Sequence, residues 1–379
     1  MIDLKAIEPK IIFGLKNKIQ AAATTYLFGL DKPAGVFTEC FFMEVPYTDK
    51  IPGTQGKLTK PFGQPHVMFK GGTGIGKTDL AQSGAGTLQA KFSRISCTPD
   101  MMPYDILGGQ ILVENTKGER RVQFKPGPIF AHIVLLDEAN RCQPKTKSAI
   151  LEAMEERSIS SKTEYIDDAE QVVGVLPLFP LSGNYSDITS PRFFMVLLTQ
   201  NTFGEEEGTY PDPMAQRDRI TLTIPIERPT LEEEKKIRAV NVTGKSIEEV
   251  SNLAEVMACA NWITQNVKNS PEADDYLTRL LRNTSPDPKV TNPHSKLGRY
   301  LAEYVLVGAS QRANFHLEAV ARTRAFFDGS MVVRPDHVKA VAASVVVHRL
   351  ILKPGKEFKT TTDEVFEEIL EMTEQPKCK

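Results

Sequence analysis

Cysteine is sparse in this chain. Its five thiols (Cys40, Cys97, Cys142, Cys259 and Cys378) are odd in number and form no Cys-x-x-Cys pair. That spacing argues against a zinc site and against a disulfide framework, and it fits a reducing compartment. Long hydrophobic runs are missing too. None approaches the roughly 18 apolar residues of a membrane-spanning helix, so no membrane span is expected. Met1-Ile-Asp-Leu-Lys5 lacks the apolar core of a signal peptide, and the expected location is the cytoplasm. An excess of either charge is absent as well. The formal net charge is −2, and acidic and basic residues are balanced on both sides of Glu227. Bulk charge therefore does not call for a nucleic-acid partner. Internal repeats and low-complexity tracts are also lacking. What remains is 379 residues of ordinary globular composition, 41% hydrophobic and 25% charged, enough for two domains.

The strongest positive signal is Gly71-Gly-Thr-Gly-Ile-Gly-Lys-Thr78, which follows the apolar run His66–Lys70. The pattern G-x-x-x-x-G-K-[ST] is that of a loop that wraps nucleotide phosphates. Its glycines let backbone N–H groups turn inward without side-chain clash. Gly72, Thr73, Gly74, Ile75, Gly76, Lys77, Thr78 and Asp79 are the candidate nucleotide-binding residues. Lys77 would neutralise the β and γ phosphates, and Thr78 would hold Mg2+. A helix starting near Thr78 would aim its positive end at the same phosphates.

Ile133-Val-Leu-Leu136 reads as a buried parallel strand ending in Asp137-Glu138. An acid at such a tip can share Mg2+ with Thr78, so Thr78 and Asp137 are the candidate metal ligands. Glu138, one step further, is placed to orient or deprotonate an attacking water. Phe193–Thr199 is a third apolar strand, ending at Gln200-Asn201, and Asn201 is a candidate contact to the γ phosphate or the water. Without a phosphate loop upstream, Asp137-Glu138 would read as a helix cap, and Asn201 as a turn residue.

Elsewhere the pattern is coarser. Residues 7–30 read as helix. Asp31–Pro65, rich in proline and glycine, reads as an irregular insertion with a hairpin at Gly35–Val45. The helix after the phosphate loop is expected to end near Gly84 or Gly86, and Lys91–Cys97 to form the next strand. Pro144–Arg157 reads as amphipathic helix. Ser158–Pro191 reads as irregular, with β character at Val172–Leu178. Ile220–Pro225 closes the α/β region. Beyond it the pattern predicts helices only, over 231–240, 247–268, 272–283, 296–307, 311–328, 335–351 and 362–374. Thr230-x-x-Glu233 and Ser246-x-x-Glu249 read as capping boxes, and Pro335 as a first-turn proline.

The ordered set of motifs resembles the MoxR family of AAA+ ATPases. It comprises the phosphate loop, Gly127–Phe130, Leu135–Arg141, Leu151–Glu156, Thr199–Asn201, Gly208–Pro211, Asp218-Arg219, Gly308–Ala313 and Val333–Val338. The likeness runs from about Pro65 to Leu352, with two insertions set aside. It implies an α/β fold: an AAA+ P-loop NTPase core with a parallel sheet, and a smaller all-helical lid domain. The division expected is 1–226 for the ATPase domain, with insertions at about 35–64 and 160–190, and 227–379 for the lid. Ile106–Gly127 would be the helix-2 insert facing a ring pore. By motif position Asn201 matches sensor 1, Arg219 the arginine finger given to a neighbouring subunit, and Arg312 sensor 2 on the lid.

Several residues depart from the family pattern. Thr73 and Thr202 stand where proline is usual, and Met214 where an acid is common. Arg217 replaces an apolar residue, so both Arg217 and Arg219 are candidates for the arm that crosses the interface.

The resemblance implies a Mg2+-dependent ATPase, with Glu138, Asn201, Arg219 and Arg312 as catalytic residues and ATP between core and lid. It implies a homo-oligomeric, usually hexameric ring that remodels a protein client, directly or through a co-encoded adaptor. Two rivals from other classes are a nucleic-acid-stimulated motor and an ATP-switched scaffold with little turnover. Balanced charge and the absence of a DNA-binding module speak against the first. The intact Asp137-Glu138 pair and Asn201 speak against the second.

Overall fold

The structure is a computed structural model and describes residues 7–47, 62–114, 120–166, 172–177, 193–201, 214–239 and 246–376. The apolar runs become five parallel strands: β1 (Val67–Gly71), β2 (Phe92–Ser96), β3 (Ile133–Asp137), β4 (Met195–Asn201) and β5 (Leu222–Ile226). Their order is β5-β1-β4-β3-β2. β3 is buried along Ile133–Leu136 and opens only at Asp137, as its unbroken apolar run requires of a strand covered on both faces. Register sets Asn201 opposite Gly71 and Asp137 opposite Ser96. Parallel strands end on one edge, so the phosphate loop, Asp137 and Asn201 emerge together there.

Helices α1 (Pro9–Thr24), α2 (Asp31–Phe41) and α3 (Lys77–Gly86) cover one face of the sheet. They pack Ile12, Phe37 and Leu80 onto Phe69, Leu135 and Leu197. On the other face α4 (Pro144–Glu156) sets Ile150 and Met154 against Met68, Val134 and Leu136.

Helix α2 corrects the expectation of an irregular stretch from Asp31 with a hairpin at Gly35. Ala34, Phe37, Thr38 and Phe41 are all buried, a stripe at helical spacing. Pro33 lies in the first turn, where its missing N–H costs no helical bond. Gly84 on α3 makes room for this helix: a Cβ there would lie 2.5 Å from the Phe37 ring. Val45–Pro46 then pairs with Phe62–Gly63, and residues 48–61 of the expected insertion lie outside the described residues.

Two antiparallel hairpins leave the core. Gly108–Glu114 pairs with Arg120–Pro126 between β2 and β3, giving the segment expected to face a pore a strand–strand form. Ser158–Ile166 pairs with Val172–Pro177, so the described part of the stretch read as irregular is a hairpin. The rest of that insertion, and the Gly208–Pro211 motif, lie outside the described residues.

After β5 the chain is mostly helical and includes α6 (Arg312–Phe327) and α7 (Pro335–Val346). It is not helical throughout, because Lys268–Asn269 pairs with Val332–Val333 and Val305–Val307 pairs with Ile351–Leu352. The helix expected from 247 begins at Leu253, capped by Asn252, which accepts the Glu255 N–H at 3.0 Å. Residues before it run along Thr87 instead, whose carbonyl takes the N–H of Val250 at 3.0 Å and of Ser251 at 3.2 Å. The Ser246 box is therefore not formed, whereas the Thr230–Glu233 box is. One apolar cluster runs from the sheet into these helices; Phe13 meets Phe326 at 5.0 Å and Phe42 meets Phe327 at 5.7 Å between ring centres.

Candidate functional site

Gly76 has φ +85° and is the N-cap of α3. The left-handed turn, cheap only for glycine, swings the chain from loop into helix. Lys77, the next residue, is 7% exposed. Its Nζ donates to Gly71 O at 2.8 Å, Gly72 O at 2.7 Å and Asn201 Oδ1 at 2.9 Å. One ammonium thus joins the phosphate loop to the tip of β4. Burial lowers the Lys77 pKa, and Asp137 and Glu138 act against that.

Asp137 is the hub of the next shell. Thr78 Oγ1 lies 3.4 Å from its Oδ2. Thr199 donates to its Oδ1 at 2.6 Å. Arg94, on β2, sets Nη2 2.6 Å and Nε 3.1 Å from Oδ2. Burial would raise the Asp137 pKa, but the hydrogen bonds from Thr199 and Arg94 and the Arg94 charge carry it below the usual carboxylate value. The next residue, Glu138, has φ +54° and ψ +48°. A left-handed glutamate is strained by roughly 1–2 kcal/mol. Its N–H is held by Thr199 Oγ1 at 3.0 Å, and its carboxylate by Arg141 Nε at 2.9 Å.

A cavity of about 1620 Å³ opens beside the phosphate loop. Its walls include Gly72–Ile75, Asn201 and Arg217 from the core, and Pro229, Ser344 and His348 from the helical part. The cavity thus lies between residues of the core and residues of the helical part. The residues fit a Mg2+-bound nucleotide. The N-terminus of the ten-residue helix α3, a three-donor ammonium and two hard oxygens, Thr78 Oγ1 and Asp137 Oδ2, meet at the end of the phosphate loop, whose residues Gly72–Ile75 line the cavity.

Arg312 and Arg219 are held on acids other than Asp137. Arg312, opening α6, puts Nη2 2.7 Å from Glu155 Oε2 and Nη1 2.9 Å from Asp218 Oδ2. Arg219 lies at the end of α5 (Met214–Arg219), with Nε 3.0 Å from the same Glu155 oxygen. The two arginines assigned to sensor 2 and to the finger thus share one carboxylate.

Thr199, Arg94, Glu155, Asp218 and Arg141 carry much of this geometry, and the sequence reading gave none of them a role. Thr199 had a usable signal: it precedes Asn201 by two and so shares its side of β4.

The strand order, the phosphate loop and the acid at the tip of the next strand but one define a P-loop ATPase of the AAA+ class. A family model for the ATPase family associated with various cellular activities (AAA) matches residues 66–177, and one for the AAA lid domain matches 300–369. The chain belongs to the MoxR family of these ATPases. It is 30% identical to chaperone MoxR1 of Mycobacterium tuberculosis over 306 residues, covering 80% of this chain and 71% of that one. It is also 30% identical to the uncharacterized protein YeaC of Bacillus subtilis, over 77% of this chain and 79% of the relative. An ATPase-type crystal structure from Cytophaga hutchinsonii superposes with a TM-score of 0.73 at 26% identity, covering 97% of both chains.

Proposed function

We propose that the chain is a Mg2+-dependent ATPase that assembles into a homo-oligomeric ring, hexameric by family analogy, and remodels a protein client. The observation that carries this reading is the 2.9 Å contact from Lys77 Nζ to Asn201 Oδ1, beside the Thr78–Asp137 pair. Lys77 is the residue for the β and γ phosphates. Thr78 and Asp137 are the residues that would hold Mg2+, which supplies charge neutralisation at the phosphates when bound. Glu138 orients and deprotonates the water, with Asn201 beside it. Arg219 is the arm offered to a neighbouring subunit, where a guanidinium stabilises charge on the terminal phosphate. Arg312, found beside Arg219, belongs with it on that face. A relative named as a chaperone supports a protein client. The hairpin 108–126 is the segment that would meet it, directly or through a co-encoded adaptor.

The test is turnover measured against protein concentration, with the Glu138→Gln variant used to capture the client. Cooperative, concentration-dependent hydrolysis and a captured protein support the reading. Strong stimulation by DNA would turn it toward a nucleic-acid motor. Binding with negligible turnover at every concentration would turn it toward a scaffold.

A further inference from the structure

The meeting of Arg219 and Arg312 on Glu155 has a structure of its own. The two guanidiniums come from different parts of the fold, Arg219 from α5 before β5 and Arg312 from the lid helix α6. Both approach one oxygen, Glu155 Oε2, at 3.0 and 2.7 Å. Arg312 also reaches Oε1 at 2.9 Å. Behind them stands Asp218, the residue before Arg219. It takes Arg312 Nη1 at 2.9 Å, accepts the Ser310 hydroxyl, and lies 3.6 Å from Nε of the buried Arg349. Arg349 is anchored in turn: its Nη2 donates to Asp218 O at 3.2 Å and contacts His316 Nδ1 at 2.6 Å. This cluster holds three guanidiniums and two carboxylates, so it keeps a surplus of positive charge.

The surplus faces outward. The Arg312 side chain is 34% exposed, and Glu155 and Arg219 are each 21% exposed. Arg219 Nε, though close to Glu155, makes no aligned hydrogen bond. Arg219 Nη1 donates to Ala215 O at 2.8 Å, so one backbone bond and the attraction to Glu155 hold that arm, and Nε is left for a better-placed acceptor. A phosphate offers three oxygens and more charge than a carboxylate, and paired guanidiniums suit it. Both arginines are engaged on Glu155, and on the ring reading the phosphate they meet is that of a neighbouring copy.

We infer that Glu155 is a positioning residue. It gathers Arg219 and Arg312 into one two-armed clamp, and the clamp's partner is the terminal phosphate of ATP held by a second copy of this chain. The inference rests on the ring reading above. Without Glu155 the two like-charged arms repel and spread, and the neighbour's hydrolysis slows. Glu155 touches no reacting atom.

The experiment is a mixed-ring assay on the full chain. Glu155→Ala keeps its phosphate loop but loses the clamp. Lys77→Ala loses the phosphate loop but keeps the clamp. Alone, Glu155→Ala is expected to lower kcat about tenfold with KM for ATP within about twofold. Mixed with Lys77→Ala, it should regain at least about threefold over the sum of the two alone, because an intact clamp then faces an intact loop. Glu155→Gln, which keeps the shape of the side chain and removes its charge, is run in parallel in case the alanine variant misfolds. Arg219→Ala mixed with Lys77→Ala is the control for the ring reading. Gain in that control with no gain for either Glu155 variant overturns the clamp alone. No gain in any mixture overturns the ring reading and the clamp with it. A wild-type kcat in both Glu155 variants overturns the clamp.

Discussion

Thr199 donates its hydroxyl to Asp137 Oδ1 at 2.6 Å. Thr199 Oγ1 in turn accepts the backbone N–H of Glu138 at 3.0 Å. One side chain on β4 therefore fixes both acids at the end of β3, and it supports the left-handed backbone of Glu138. Thr199→Val keeps the volume and removes both bonds. It should lower kcat roughly 10–100-fold, the range for loss of a residue that orients metal ligands. Thr199→Ser should restore most of the rate. Steady-state ATP hydrolysis by the two variants checks this; equal rates would remove Thr199 from the site.

Glu138 separates binding from turnover. Glu138→Gln preserves shape and leaves the Lys77, Thr78 and Asp137 contacts untouched, so ATP affinity should stay within about twofold. Losing the base should cost at least about 10²-fold in turnover. Equilibrium binding and hydrolysis are measured on one preparation. Wild-type turnover would take Glu138 out of the catalytic role.

The three strand tips were readable because each obeys a local rule: an apolar run of strand length ends abruptly in a polar residue. The glycine spacing of the phosphate loop is local in the same way. Helix α2 was hidden because Pro33 and Gly35 announce a loop, while the stripe that decides the matter is only four residues. The place of Arg312 could not be read at all. Its carboxylate partner lies 157 residues away, and no periodicity encodes a contact of that range. Arg94 was missed for a related reason. Along β2 it looks like an ordinary outward charge, and only the parallel register with β3 brings it to Asp137.

Buried and half-buried histidines make the fold acid-sensitive. Burial, and secondarily Lys91, lowers the His132 pKa to about 4. His66, His316 and His348 are each carried well below the usual value, burial being the largest cause. His66 Nδ1 accepts the Val196 N–H at 3.0 Å, and Lys91 N–H donates to His132 Nδ1 at 2.9 Å; both bonds require an unprotonated nitrogen. These groups favour the folded state while neutral. Their contribution is complete above the unfolded pKa of about 6.5 and is lost as pH falls toward the folded values. Between those limits the unfolded chain binds more protons, and each histidine costs up to about 1.4 kcal/mol per pH unit. The urea midpoint should therefore drop on going from about pH 7 to about pH 5, and His132→Gln should flatten that slope. A midpoint unchanged across this interval would contradict the assignment.

Arg217 and Arg219 lie two residues apart on α5 and meet different surroundings. Arg217 lines the cavity beside the chain's own phosphate loop, in company with Asn201 and His348. Arg219 is held on Glu155. The two alanine variants should separate accordingly. Arg217→Ala is expected to raise KM for ATP several-fold, since it removes a cation from the wall of the binding cavity, with a smaller effect on kcat. Arg219→Ala should leave nucleotide affinity unchanged and lower turnover of the assembled protein about 10³-fold, the lower range for loss of an arginine finger. The difference should persist at saturating ATP and high protein concentration, where neither weak binding nor dissociation limits the rate. If Arg217→Ala instead abolishes turnover with affinity intact, the arm that crosses the interface is Arg217, and Arg219 is left as a partner of Glu155 within its own subunit.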